Sequence, residues 1–258
     1  ILYTGDFRAN GRKGYSELLK YLPEADVLII EGTTLTRGET GKNIEELSLE
    51  DIATEALSRY AGPCFVFMSA MNIDRVITMY NVAQKNGRIF LQDLYTALIS
   101  EAAGIGVPNP KKDHGIRVFV TDGNKVRYEK LKKFGRAKIG RSAIAKQNYI
   151  MCVRPSMMNY LEKLNALQSF EDGILFYGMW KKYQEKDDVK NFLSFMEDKG
   201  VKIHTLHTSG HADSRTIDRL IKDVNPKVIL PVHTENPRWF DRYNYEIEVI
   251  YDRHIVEL

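Results

Sequence analysis

Short apolar runs separated by stretches of helical spacing limit what this chain can fold into more than any other feature. Asp26-Val27-Leu28-Ile29-Ile30-Glu31 has no polar residue between its two carboxylates, so an extended backbone here must bury both faces. Cys64-Phe65-Val66-Phe67-Met68, residues 149–153, Ile174–Tyr177 and Val228–Val232 repeat the pattern, and residues 88–91, 116–120 and 202–206 are shorter versions of it. Between these runs the apolar period lengthens. Residues 47–60 have helical spacing and open on Ser48 with Asp51 three positions on, which resembles a capping box. Residues 72–85 predict a helix stopped by Asn86-Gly87, and Leu94–Ala103 one that ends at Gly104. Residues 125–134, 157–167, 189–199 and 217–224 predict four more, and residues 245–258 a β-rich ending. Strands alternating with helices of about 10–15 residues predict an α/β fold built on a mostly parallel sheet.

The chain has 258 residues, enough for one large or two ordinary domains. Residues 49–198 read as a self-contained α/β unit inserted between two framing segments, 1–48 and 199–258, which share apolar strands ending in Asp, Glu or His. A hydrophobic fraction of 43% excludes a disordered chain, and no apolar run approaches the ~18–20 residues of a membrane span. Cys64 and Cys152 lie inside apolar runs and are expected as free core residues of a reducing compartment. Gly38-Glu39-Thr40-Gly41-Lys42-Asn43 lacks the spacing of a phosphate-binding loop, and no G-x-G-x-x-G follows a strand. The net charge of +3 is unevenly spread. Twelve Lys/Arg face three acids between Lys111 and Lys146, a local +9 against −6 elsewhere. Such a block fits a solvated helical face or a polyanion-binding surface, and charge alone leaves both open.

Four polar residues stand where apolar strands end: Asp6, Glu31, His211 and His233. Rigid strand ends are where open sheets present functional groups. An Asp and a His that converge suit zinc, which takes oxygen and nitrogen ligands at ~2.0–2.2 Å. A neighbouring Glu/His pair suits proton transfer to a leaving group. Each also has a plainer reading, as a hydrogen-bonded structural histidine or, for Asp6, an Asx turn.

Taken in order, Tyr3-Thr4-Gly5-Asp6-Phe7-Arg8, Leu28-Ile29-Ile30-Glu31-Gly32-Thr33, His207-Thr208-Ser209-Gly210-His211-Ala212-Asp213 and Pro231-Val232-His233-Thr234-Glu235 resemble the metallo-β-lactamase superfamily, in its β-CASP, RNase J-like branch of nucleic-acid hydrolases. The resemblance implies a partial metallo-β-lactamase αββα sandwich carrying an inserted β-CASP α/β domain of mostly parallel sheet, which covers the catalytic cleft. It implies that Asp6 bridges two zinc ions and His233 ligates one of them. Glu31 and His211 are then catalytic, with His211 serving the leaving oxygen. It further suggests substrate-binding roles for His207, Ser209, Arg154 and Ser156. His at motif C of that family accompanies action on RNA rather than DNA, and position 233 is His. RNA is therefore the expected partner, with Lys130, Lys132 and Lys133 of the basic block neutralising a strand and Tyr128, Phe134 and Tyr149 offered as stacking rings.

The family's upstream His-x-His-x-Asp-His cluster has no counterpart among the six histidines of this sequence. With an opening strand and neither an initiator Met nor a signal segment, the chain is expected to be the part downstream of that cluster, with an incomplete zinc site when alone and the missing N-terminal part as a natural partner. A cytoplasmic setting without membrane attachment is expected, and a homodimer is left open. Two other functions compete with RNA hydrolysis: a non-catalytic module that binds RNA or a partner protein, and a small-molecule metallo-hydrolase.

Overall fold

The computed structural model describes residues 1–36, 42–104, 106–121 and 125–250. The Gly38–Gly41 part of the rejected phosphate loop and the last eight residues of the expected β ending lie outside them. The chain forms two compact units: Ile1–Glu45 with Thr208–Leu258, and Glu46–His207.

In chain order, the first unit opens with β1 (Leu2–Tyr3), α1 (Gly14–Leu19) and β2 (Val27–Glu31). The second unit contains α2 (Glu46–Leu57), β3 (Cys64–Phe67), α3 (Ile73–Lys85), β4 (Ile89–Asp93), α4 (Leu94–Ala103) and β5 (Ile116–Phe119). It continues with α5 (Lys125–Lys132), α6 (Arg141–Ile144), β6 (Tyr149–Cys152), α7 (Met158–Asn165), β7 (Ile174–Tyr177), α8 (Asp187–Asp198) and β8 (Lys202–Thr205). The chain then returns to the first unit as α9 (Ser214–Val224), β9 (Val228–Val232) and β10 (Glu246–Ile247).

Every strand pairing among the described residues is parallel. The first unit has a sheet of order β1-β2-β9-β10, the second one of order β5-β4-β6-β3-β7-β8. The α/β class read from the alternation of elements is thus the observed one. In the larger sheet, alternate residues of a strand serve opposite faces. Phe65, Met151, Leu175 and Tyr177 enter one core, while Cys64, Val66, Ile150, Ile174 and Phe176 enter the other. A strand buried on both faces must be apolar at every position, hence the uninterrupted runs. Each such side chain contributes roughly 1.5–3 kcal/mol of burial. Both cysteines are free and buried, and burial pushes the Cys64 thiol up to about 12.

Two details depart from the sequence reading. α2 starts at Glu46, upstream of Ser48, because Arg75 and Thr78 hydrogen-bond the Glu46 carboxylate in the core. The return to the first unit comes after His207, not after Asp198, because β8 pairs with β7 and completes the larger sheet. No described helix is long and apolar enough to cross a membrane.

Candidate functional site

β2 and β9 are adjacent in the first sheet, with Glu31 paired to Val232. Their carboxyl ends therefore lie side by side, and the loops after them start from one edge. Asp6 follows β1, the next strand over, and His211 lies in the loop before α9. Ligand atoms from Asp6, Glu31, His211 and His233 all fall within 4.8 Å of one another.

The four differ in what their surroundings leave free. Glu31 is 1% exposed, and its carboxylate is fully engaged. Oε1 accepts from the Phe7 amide at 2.9 Å, and Oε2 accepts from the Thr33 hydroxyl at 2.7 Å and faces His211 Nδ1 at 2.8 Å. A carboxylate only accepts, so the proton of that last bond sits on His211 Nδ1 and Nε2 is left for other partners. His211 is further held through its backbone. Its carbonyl accepts from Asn43 Nδ2 at 2.9 Å and its amide donates to Ser209 Oγ at 3.1 Å. Asp6 and His233, by contrast, keep side-chain exposures of 57% and 58%. Their Oδ1 and Nδ1 atoms meet at 3.0 Å, and the His211 and His233 ring centres are 5.4 Å apart.

Of the other residues singled out in the sequence, Ser209 lies in the first unit and the rest in the second. Ser209 shapes the loop through the bond just described. His207 belongs to the larger unit, where its Nδ1 is 3.3 Å from the Gly178 carbonyl oxygen. Arg154, Ser156 and Lys130 line a separate cavity in that unit, and Arg154 pairs with Asp93. Lys132 pairs with Glu129 at 2.8 Å. Phe134 and Tyr149 are 3% and 0% exposed and cannot stack on a base, because both are core residues under the helices and the sheet; Tyr128 alone of the three is open to solvent. Thr33, Phe7 and Asn43 escaped the sequence reading. Thr33 follows the Glu31-Gly32 pair directly, but a threonine bonding to a buried carboxylate leaves no mark in composition or period.

Residues 186–241 match the family model described as "Zn-dependent metallo-hydrolase RNA specificity domain". That segment contains α8, β8, the His211 loop, α9, β9 and His233. No curated protein gives a significant match to the chain. Among solved structures, a protein of unknown function from Enterococcus faecalis V583 is similar over 97% of this chain and 56% of its own, with a TM-score of 0.70 at 18% identity. At that identity the likeness shows the fold, and the chain spans a little over half the length of that relative. The domain match falls on the segment that supplies His211 and His233, and that segment is similar to a domain of zinc-dependent metallo-hydrolases.

Proposed function

We propose that the polypeptide carrying this chain is a zinc-dependent phosphodiesterase of the β-CASP, RNase J-like type that hydrolyses RNA. The observation that carries this reading is the convergence of Asp6, Glu31, His211 and His233 on one edge of a parallel sheet. The donor set fits zinc: a carboxylate oxygen of Asp6 and an imidazole nitrogen of His233 stand together with more than half of each side chain open to solvent, and His211 Nδ1 lies 3.9 Å from the Asp6 carboxylate. Asp6 and His233 would hold the metal, and His233 sits inside the matched domain. Bound zinc supplies a hydroxide near neutral pH. Glu31 fixes the His211 ring and its tautomer, which leaves Nε2 to hold a proton for the departing oxygen. The RNA specificity named in the matched domain and the +9 block between Lys111 and Lys146 support RNA as the substrate.

Measured in the polypeptide that contains the chain, His233→Ala should strip zinc. His211→Ala should leave zinc content nearly unchanged and lower turnover ~10²–10⁴-fold, the usual cost of losing a general acid. Zinc lost from His211→Ala and retained in His233→Ala would reverse the assignment.

One observation favours a second reading, a binding module that does not cut. Catalytic zinc takes about three protein ligands, and of the four converging residues only Asp6 and His233 are more than half exposed, whereas Glu31 is buried under three hydrogen bonds and His211 is tied to it. Tight stoichiometric zinc with chelator-sensitive RNA cleavage by residues 1–258 would remove that reading.

A further inference from the structure

The larger sheet holds a cavity of about 350 Å³ outside its carboxyl edge, built wholly from the second unit. Its position follows from topology. β4 and β6 are neighbours, but the chain leaving β4 runs outward to β5 while the chain leaving β6 crosses β3 to reach β7. The two loops diverge and leave a crevice between adjacent strands. Open parallel sheets bind ligands at such a crevice. Asp93 at the end of β4 with Leu94 and Tyr95 after it, Thr121 after β5, and Arg154, Ser156 and Met157 after β6 line it.

The chemistry of its wall is specific. Arg127, Lys130 and Arg154 line the cavity together with Asp93. That carboxylate is already occupied, capping α4 through the Tyr95 and Thr96 amides and pairing with Arg154. Lys130 meets no acid among the described residues. It is exposed at the cavity wall, where an unneutralised cation attracts an anion. Leu94, Leu98 and Met157 add apolar surface to the lining, and the half-exposed Tyr95 ring lies 5.4 Å from the Arg154 guanidinium. An anionic end and a flat apolar body are what such a mixed lining would recognise.

We propose that this cavity binds a nucleotide unit, with its phosphate held by Lys130 and Arg154 and its base against the Tyr95 side. The inference stands on this unit alone. It rests on the RNA reading only where the nucleotide is part of a strand.

The experiment uses the full chain and titrates AMP, adenosine, and a short oligoadenylate with and without a 5′-phosphate. AMP should bind at least tenfold more tightly than adenosine. Lys130→Gln should weaken AMP about tenfold, the effect of one lost charge-assisted contact. Arg59→Gln, which removes an exposed cation paired with Glu55 in the same unit, should not. A matching loss for the oligonucleotides assigns the site to RNA, and a loss confined to AMP assigns it to a free nucleotide. Equal affinity for AMP and adenosine, or unchanged binding of AMP and of both oligonucleotides in Lys130→Gln, overturns the proposal. Zinc content does not depend on Lys130, so failure here and failure of the metal site are read out separately.

Discussion

His233 has a left-handed backbone, φ 49°, directly after β9. Few residues other than glycine tolerate this region, and histidine is among those found there. The turn folds the chain back at the strand end and leaves the ring beside Asp6. Holding a residue there costs of order 1 kcal/mol, which the surrounding structure must supply. Part of the supply is Gly32. A Cβ at that position would sit 2.8 Å from both Thr234 Oγ1 and Leu35 Cδ1, so the β2 and β9 loops approach as closely as they do only because residue 32 has no side chain. Gly32→Ala should therefore lower stability by about 1–3 kcal/mol, the range for overpacking, and move the His233 ring resonances. Unchanged urea unfolding with an unshifted His233 would show that the loops can part at no cost. The polar residues at strand ends could be read from the chain because each interrupts an apolar run. Gly32 and Thr33 could not, since their roles exist only once two distant loops meet.

The α9 helix connects the two halves of the site. Its buried face, Ile217, Leu220, Ile221 and Val224, packs against β2 and β9 residues such as Ile30 and Ile229. This is the 3.6-residue period that the sequence displays. Its N-terminus is set by Asp213, which accepts from the Thr216 amide at 2.8 Å and the Asn43 amide at 3.1 Å. Asp213→Ala should cost about 1–2 kcal/mol through the lost cap. It should also loosen the Asn43 side chain that supports the His211 carbonyl. Denaturant unfolding would show a lower midpoint with an unchanged slope, and an unaltered midpoint would mean that the helix start is held by packing alone. Short elements evade the sequence for a related reason. α1 and α6 span six and four residues, fewer than two turns, so neither offers enough positions for a period to emerge. β8 reads as a strand in the sequence, but the unit it belongs to does not. It is an edge strand with a half-exposed pattern, and edge pairing is decided by which sheet has a free neighbour.

The insertion is possible because the second unit begins and ends at one residue. Arg75, 1% exposed, donates from Nε to Glu46 Oε1 at 2.7 Å and from Nη1 to the Leu206 carbonyl. Glu46 is the first residue of the unit and Leu206 the last but one. The Thr78 hydroxyl adds a further bond to Glu46 at 2.9 Å. A segment whose ends meet can be accommodated within another without stretching its host. The alternation of strands and helices within residues 46–207 was legible in the sequence. The clasp was not, because an arginine inside an amphipathic helix looks like any solvated charge until its partners are known. With both ends tied and its own cores on both faces of a six-stranded sheet, residues 46–207 expressed alone should fold and melt cooperatively. Arg75→Met in that fragment should cost about 3–5 kcal/mol, since it leaves the fully buried Glu46 carboxylate without its counter-charge. Replacing both with Met should recover much of the loss, because the two desolvation costs then disappear together. A fragment lacking cooperative melting would show that the insert depends on its host. A single Arg75→Met variant that melts like its parent would show that the clasp orders the ends without stabilising them.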